Sequence, residues 1–263
     1  MVRTLITSDH HLHDSGSHDA VGTPSEYAKI AQERGITSIA ITNHVELFDK
    51  VAGRYDVVVP RDIYRMQKVL DGVLEAREKF PAMEILFGIE VENNPPCYPQ
   101  MEEILSRFNF DIVIGSVHIV QGIPISAVYC KDFLRTKDPE WLYMSYYEEM
   151  AKFVEWGRFD ILGHGDIIRR YMMDVYPDFA PISPKDILYP VFKKLRDKGQ
   201  GIEINTSGLF QAPKSTYPSL EMVNMARQNG ITRITMGSDA HKPEDVGKGF
   251  GLVEVSSSTP SPE

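Results

Sequence analysis

Seven short apolar runs alternate with helical patterns along this chain, and this alternation restricts the possible folds more than any other feature. Each run is rich in Ile, Val, Leu or Met, and most lack the strict polar alternation of a half-exposed strand. Continuous apolar character is typical of parallel strands that are covered on both faces. The seven predicted strands are 5–7, 36–42, 83–91, 111–117, 159–162, 201–205 and 232–237.

Helical patterns with clear start and stop signals fill most of the segments between these runs. Thr23 predicts an N-cap, Pro24 the first helical position, and Gly35 the end of that helix. A second clear pattern opens at 183–184 and ends before Gly199. Four further helices, with less distinct ends, are predicted at 62–79, 97–108, 138–156 and 218–229.

The repeated strand–helix order indicates an α/β fold, and it favours a (β/α) barrel over a doubly wound open sheet. In both arrangements the chemistry belongs at the C-terminal ends of the strands. Longer loops are predicted at 49–61 and 119–137, and loops near a barrel mouth often shape a substrate pocket. We expect one domain over 1–255 and a disordered polar tail at 256–263, where serine and proline dominate.

All eight histidines of the chain fall in or beside motifs at the C-terminal ends of predicted strands. Parallel strands would bring these imidazoles and the neighbouring carboxylates to one mouth, where divalent metals could be held. Glu90 ends the third strand, and its two oxygens are suited to bridging two ions. Ligand-type side chains at six of seven strand ends predict a metal-dependent hydrolase. The histidines are His10, His11, His13, His18, His44, His118, His164 and His241.

Composition and charge narrow the range of partners. A formal net charge of -9 argues against a nucleic-acid groove, which usually needs a basic surface. Cys97 and Cys130 are the only cysteines, and we expect both to be free and reduced. The first residues lack the apolar length of a signal peptide, and no run approaches the ~18 apolar residues of a membrane span. A cytoplasmic protein without nucleic-acid or membrane partners is therefore the expectation; the oligomeric state is left open.

The ordered motifs resemble those of the PHP (polymerase and histidinol phosphatase) family, from about residue 5 to residue 242. Within that family the chain is most similar to the histidinol-phosphate phosphatases, on the residues from Phe110 to His118, from Gly163 to Tyr171 and from Glu203 to Thr206. The resemblance implies a distorted (β/α)7 barrel, in agreement with the seven predicted strands. The matching motifs are His11-Leu12-His13, Thr42-Asn43-His44, Gly88-Ile89-Glu90, Ser116-Val117-His118, Gly163-His164-Gly165-Asp166 and Asp239-Ala240-His241.

The resemblance further implies three divalent ions. Zinc, manganese and iron all suit a set of nitrogen and oxygen ligands without thiolate. His18 and Asp19 are alternative ligands, with Asp19 favoured; His10 is predicted to point away, and Asn43 to support the ligands without binding metal. The implied ligands are His11, His13, Glu90 and Asp239 for the first ion, Glu90, His118 and His164 for the second, and His44, His241 and either His18 or Asp19 for the third.

Phosphate-monoester hydrolysis is extremely slow without a catalyst. Closely spaced ions can lower the pKa of a bridging water from ~15.7 toward ~7 and clamp the phosphoryl oxygens, so we expect a bridging hydroxide to attack phosphorus. Asp239 is a candidate for proton transfer to the leaving group, or a ligand only. Arg170 is a candidate for gripping phosphate, or a surface arginine. Histidinol, the substrate moiety that the resemblance implies, carries an ammonium group. Glu92 and Asp166 are candidates for contacting this ammonium or for orienting a metal-binding histidine.

The leading hypothesis is a phosphatase that hydrolyses L-histidinol phosphate to L-histidinol and phosphate in histidine biosynthesis. One departure bears on the substrate, because some relatives place an arginine after Thr206, where this chain has Ser207 and Gly208. A PHP phosphoesterase for another small phosphomonoester or a nucleotide is therefore the close alternative. A non-catalytic PHP module, in which metals only stabilise the barrel, is the third interpretation.

Overall fold

A computed structural model describes residues 6–45 and 59–253, so the predicted tail and most of the predicted loop at 49–61 lie outside the described residues. The strands are between two and nine residues long. They are β1 (Ser8–Leu12), β2 (Ser38–Ile41), β3 (Glu84–Glu92), β4 (Ile112–Ser116), β5 (Ile119–Val120), β6 (Ile123–Pro124), β7 (Ile161–Leu162), β8 (Gly201–Asn205) and β9 (Ile234–Gly237).

Seven of these strands form one parallel sheet in the order β1-β2-β3-β4-β7-β8-β9. The sheet curves until its two outer strands meet. Leu12 forms a parallel bridge with Ala240, and the His13 N–H donates to the Ala240 carbonyl at 2.9 Å. Spatial order equals chain order around this ring, which confirms the distorted (β/α)7 barrel and brings all strand ends to one rim.

Helices cover the outside of the barrel. At the first of them the Thr23 hydroxyl accepts from the Glu26 N–H at 3.3 Å, while the Glu26 carboxylate accepts from the Thr23 N–H at 2.7 Å, as the predicted capping box requires. The helices are α1 (Pro24–Glu33), α2 (Val59–Lys79), α3 (Tyr98–Arg107), α4 (Cys130–Arg135), α5 (Pro139–Trp156), α6 (Arg169–Val175), α7 (Lys185–Asp197) and α8 (Leu220–Gln228).

Three regions differ from the sequence-based prediction. The first strand was predicted at 5–7 but runs over Ser8–Leu12, so that His10 and His11 lie inside it. The strand was not predicted because its side chains are mostly polar, although Asp9 and His11 are fully buried in the structure. The predicted loop at 119–137 contains the β5–β6 hairpin and α4, and α6 was not predicted; these elements are only two to seven residues long, too short for a periodic pattern.

Apolar side chains from the strands and from the inner helix faces fill the core. Cys97 and Cys130 are buried and free, as expected. Among the helices of the described part of the chain, none combines the length and the apolar character that crossing a bilayer would require.

Candidate metal centre

Six histidines and two carboxylates meet at the C-terminal rim of the barrel. Parallel strands place them there, because the residues at or just past each strand end share one edge. Four overlapping groups of three among them have all ligand atoms within 4.8 Å of one another. The members of this set, called the rim cluster below, are His11, His13, His44, Glu90, His118, His164, Asp239 and His241.

Glu90 lies at the centre of the rim cluster, with a side chain that is only 1% exposed. Burial raises the pKa of this carboxyl, but the neighbouring imidazoles, that of His44 above all, lower it well below its usual range. The carboxylate is therefore ionised, with its two oxygens facing different histidines. Oε1 lies 3.0 Å from His164 Nε2, 3.5 Å from His11 Nε2 and 3.7 Å from His118 Nε2, and Oε2 lies 2.6 Å from His44 Nδ1 and 3.7 Å from His13 Nε2.

Asp239 supplies the second carboxylate, from the segment that follows β9. Its Oδ1 lies 3.3 Å from His13 Nε2, 3.7 Å from His241 Nδ1 and 3.8 Å from His11 Nε2. Burial raises the pKa of this group, yet the His11 imidazole and its neighbours hold it well below the usual range. The backbone of Asp239 has φ +57°, a left-handed conformation that aspartate tolerates better than most residues. This turn directs the carboxylate back toward the cluster.

The donor atoms of the cluster fit a divalent metal ion. His11 Nε2 and His13 Nε2 are buried, and neither has a hydrogen-bond partner among the residues that the structure describes. A buried polar atom without a partner costs about 1–3 kcal/mol, a cost that coordination would remove. Burial lowers the pKa of His13 to about 3, so its imidazole is neutral and offers a lone pair. Neutral imidazoles and ionised carboxylates are the forms that bind metal.

Asp19, rather than His18, reaches the rim cluster. Asp19 Oδ2 lies 3.5 Å from Nε2 of His241, which groups with His13 and His44. Burial raises the pKa of Asp19, but its hydrogen bond with His241 outweighs burial, and the pKa lies below its usual range. The His18 side chain is 46% exposed, and its Nδ1 lies 3.8 Å from Asp19 Oδ1. The geometry thus favours Asp19 of the two alternatives that the sequence left open.

His10 points away from the cluster, as predicted. Its Nε2 lies 2.8 Å from the Ser38 hydroxyl, whereas the preceding and following side chains of β1 face the barrel interior. Successive residues of a strand alternate between the two faces of the sheet, so adjacent histidines play different roles here.

Glu203 contacts two members of the rim cluster, although the sequence analysis assigned it no individual role. This β8 residue is buried, with Oε1 2.8 Å from His11 Nδ1 and Oε2 accepting from the His164 N–H at 2.7 Å. A carboxylate on the far ring nitrogen is the usual partner of a metal-binding histidine, because it fixes the tautomer. The available signal was a single acid between two isoleucines of a predicted strand.

Asn43 supports the first two motifs, as expected, instead of reaching the ligand atoms. Its Oδ1 accepts from the Asp14 N–H at 2.9 Å and from the Ser17 hydroxyl at 3.0 Å. The Ser17 oxygen in turn accepts from the His44 N–H at 3.2 Å. These bonds join the loop after β1 to the loop after β2, so the histidines on either side keep a fixed separation.

Asp9 joins β1 to the last motif by hydrogen bonds in the same way. Its Oδ1 accepts from the Ser238 N–H at 2.9 Å, and its Oδ2 accepts from the Ser238 hydroxyl at 2.6 Å and the Gly247 N–H at 2.7 Å. Burial raises the pKa of Asp9 to about 6. Since Ser238 directly precedes Asp239, the position of that ligand depends on this buried acid.

The three remaining candidates, Arg170, Glu92 and Asp166, differ in the residues that they contact. Arg170 stacks over the Tyr171 ring at 4.9 Å, and its Nη1 donates to the Ser126 carbonyl at 3.4 Å. Glu92 Oε2 lies 3.9 Å from His118 Nδ1, where it can orient that imidazole or face a cation in the mouth. Asp166 does neither, because its carboxylate pairs with Arg169 at 2.8 Å and accepts from the N–H of Ser219.

The fold and this site define a metal-binding (β/α) barrel enzyme, with its donors at the C-terminal rim. Comparison with known proteins identifies the family: a model of the PHP domain matches residues 9–207, about three quarters of the chain. The chain therefore belongs to the PHP domain family. The match includes every motif of the rim cluster except the last, which lies beyond residue 207.

Relatives with assigned names are similar over nearly their whole length. A protein of Deinococcus radiodurans named "Probable histidinol-phosphatase" is 27% identical over 244 residues, which cover 92% of this chain and 89% of the relative. The histidinol-phosphatase of Lactococcus lactis subsp. lactis is 23% identical, over 89% of this chain and 83% of the relative.

Solved structures show the same fold. The histidinol phosphate phosphatase of Lactococcus lactis subsp. lactis, complexed with zinc, L-histidinol and phosphate, superposes with a TM-score of 0.74 at 20% identity. The superposition covers 91% of this chain and 88% of that structure. At this level of identity the structure confirms the barrel.

Proposed function

We propose that this chain is a metal-dependent phosphatase that hydrolyses L-histidinol phosphate to L-histidinol and phosphate, and thereby acts in histidine biosynthesis. The rim cluster carries the proposal, because one buried, ionised Glu90 has imidazoles on both of its oxygens. The names of the relatives, and the zinc, histidinol and phosphate in the Lactococcus structure, indicate the substrate.

We assign three ions to the rim cluster, with Glu90 shared by the first two. Divalent cations held there would lower the pKa of a water toward ~7 and polarise the phosphoryl oxygens. The proposed ligands are His11, His13, Glu90 and Asp239 for the first ion, Glu90, His118 and His164 for the second, and His44, His241 and Asp19 for the third.

Side chains of the rim would complete the reaction. Asp239 is the carboxylate that the mouth can reach, since its side chain is 15% exposed whereas that of Glu90 is 1% exposed. It would accept the proton that the attacking water loses and pass it to the leaving oxygen. Arg170 would bind phosphate as a fixed positive charge. Glu92 would face the ammonium of the substrate, since it lies beside His118 at the mouth and is 21% exposed.

The test is phosphate release from L-histidinol phosphate by zinc- or manganese-loaded protein, with and without a chelator. Glu90→Gln keeps the shape of the side chain but removes the charge, so we expect loss of both bound metal and activity. Glu84→Gln is the matched control, because Glu84 lies at the opposite end of the same strand and bonds Ser38. Chelator-insensitive turnover, or full activity of Glu90→Gln, would reject the proposal.

A second substrate class is supported by one local feature. Some relatives are expected to have an arginine directly after Thr206, where this chain has Ser207, whose hydroxyl donates to Asn205 Oδ1 at 2.7 Å. If that arginine binds phosphate in those relatives, another group of this chain must take its place. Assaying a panel of nucleotides and small phosphomonoesters beside histidinol phosphate separates the two classes. Absence of chelator-sensitive turnover on the whole panel would indicate a non-catalytic module.

A further inference from the structure

Strand β8 contributes no ligand atom to the rim cluster, yet it contributes Glu203, whose two oxygens contact two different cluster members. Oε1 pairs with His11 Nδ1 at 2.8 Å, and Oε2 accepts from the backbone N–H of His164 at 2.7 Å. The His11 pair is closed to solvent, with both side chains 1% exposed. A single carboxylate thus spans the gap between the first strand and the loop after β7.

The contact with His11 decides which ring nitrogen faces the cluster. Because Glu203 holds the proton on Nδ1, the lone pair of a neutral His11 lies on Nε2. That nitrogen lies 3.5 Å from Glu90 Oε1 and 3.8 Å from Asp239 Oδ1. The tautomer needed for coordination is therefore set from β8.

The contact with His164 acts through the backbone. His164 has φ +23°, a sparsely populated conformation for a residue with a side chain. Its Nδ1 is buried without a hydrogen-bond partner among the described residues, so no bond to that ring nitrogen fixes the imidazole. The N–H bond to Glu203 Oε2 therefore restrains the backbone that carries this ring, while Nε2 itself lies 3.3 Å from the Ser116 hydroxyl and 3.0 Å from Glu90 Oε1.

The barrel interior keeps space for this carboxylate. A Cβ at Gly237 on the neighbouring strand β9 would overlap Glu203 Oε1 and come within 2.6 Å of His11 Cβ. Glycine at this position therefore allows the Glu203–His11 pair to form.

We propose that Glu203 is a positioning residue that orients one histidine of the first ion and one histidine of the second, and so couples the binding of the two ions. The inference rests on the ligand assignment in the proposed function. It does not depend on the substrate, because its direct consequence is metal affinity.

The experiment measures zinc stoichiometry by elemental analysis and zinc affinity by competition with a chromogenic chelator, on the full chain. Glu203→Gln keeps the volume but replaces one acceptor by an NH2 donor, which faces an N–H. We expect dissociation constants about 10- to 100-fold higher for two ions, as for other partners of metal-binding histidines. The affinity for the remaining ion, near His44 and His241, should stay at the wild-type value.

Glu203→Asp separates position from charge. Aspartate keeps the negative charge but is one methylene shorter, so it cannot span both donors. We expect zinc binding to be weakened as in Glu203→Gln; recovery of wild-type affinity would show that only the charge matters and would overturn the proposal. Glu84→Gln, a carboxylate that bonds Ser38 instead of a cluster member, is the control for glutamate replacement in a barrel strand.

Gly237→Ala tests the same contact without changing the carboxylate, by displacing Glu203, and should weaken the same two ions. Gly251→Ala is its control, because a Cβ there meets no described atom within 4 Å. Unchanged zinc binding in Glu203→Gln, or an equal loss at all sites together with a lower melting temperature of the metal-free protein, would overturn the inference. Normal zinc binding by wild type without histidinol phosphate hydrolysis would reject the proposed function and leave the inference standing.

Discussion

Two separate variants, His11→Asn and His10→Asn, test whether one of these adjacent residues is a metal ligand and the other has only a structural role. Burial lowers the pKa of His11, but the carboxylates of Glu203, Glu90 and Asp239 raise it well above the usual value. In metal-free protein at neutral pH, His11 and Glu203 therefore form a buried ion pair with 2.8 Å between Nδ1 and Oε1. His10 has only a part-buried bond to the Ser38 hydroxyl.

The two substitutions should differ severalfold in their effect on the free energy of unfolding. Removing one partner of a buried pair leaves the other charge uncompensated and costs about 3–5 kcal/mol. Loss of an ordinary hydrogen bond, as at His10, costs about 0.5–1.5 kcal/mol. At roughly 2–4 °C per kcal/mol for a chain of this size, His11→Asn should lower the melting temperature by about 6–20 °C and His10→Asn by about 1–6 °C.

Thermal unfolding followed by circular dichroism, on protein treated with a chelator, measures this difference. Elemental analysis after zinc loading then shows whether the affected residue is also a ligand: His11→Asn should lose zinc, and His10→Asn should keep the wild-type content. Equal destabilisation by the two substitutions, or equal zinc content, would refute the assignment of opposite roles to the two faces of β1.

Three further outcomes follow from the site. Asp239→Asn should lower kcat by at least about tenfold in preparations that retain metal, and a pH–rate profile identical to wild type would exclude proton transfer by this group. Arg170→Ala should raise KM or lower kcat about tenfold or more with unchanged metal content, whereas Arg158→Ala, which removes an exposed pair with Glu102, should not. Burial lowers the pKa of His241, but its bond to Asp19 raises it to about 9. In metal-free protein the pair therefore stabilises the fold fully below pH 6.5, and this stabilisation is lost as the pH rises through 9. Urea unfolding across that range should show a smaller decline in the free energy of unfolding for His241→Gln than for wild type.

The barrel and the rim cluster could be predicted from the sequence because both depend on local signals. Apolar runs mark the strands, and the end of a parallel strand fixes where its next polar residue lies. The capping residues of α1 and the terminating Gly199 after α7 gave the helix ends to within one or two residues. Glu90 was predicted on the same grounds, as the acid at the end of the third run.

Contacts between distant segments could not be predicted, because no local pattern encodes which side chain a buried acid meets. Asp9 and Glu203 are examples: each lies inside a strand, and each bonds a residue from a different motif. The same reason explains the misplaced first strand. Its sequence is polar, as in a loop, and only the closed barrel buries the side chains of Asp9 and His11. The role of Arg170 stays a prediction, because its contacts with Tyr171 and the Ser126 carbonyl do not show where a phosphate binds.

The two carboxylates of the rim cluster differ in a way that supports separate roles. Glu90 is enclosed by imidazoles on both oxygens, so any movement of its side chain would break several contacts at once. Asp239 stands on a left-handed turn outside the strand, and its side chain is 15% exposed. Of the two carboxylates, Asp239 is the one whose side chain reaches both the cluster and the solvent. Glu90 therefore fits a fixed bridging ligand, and Asp239 is the better placed of the two to exchange protons.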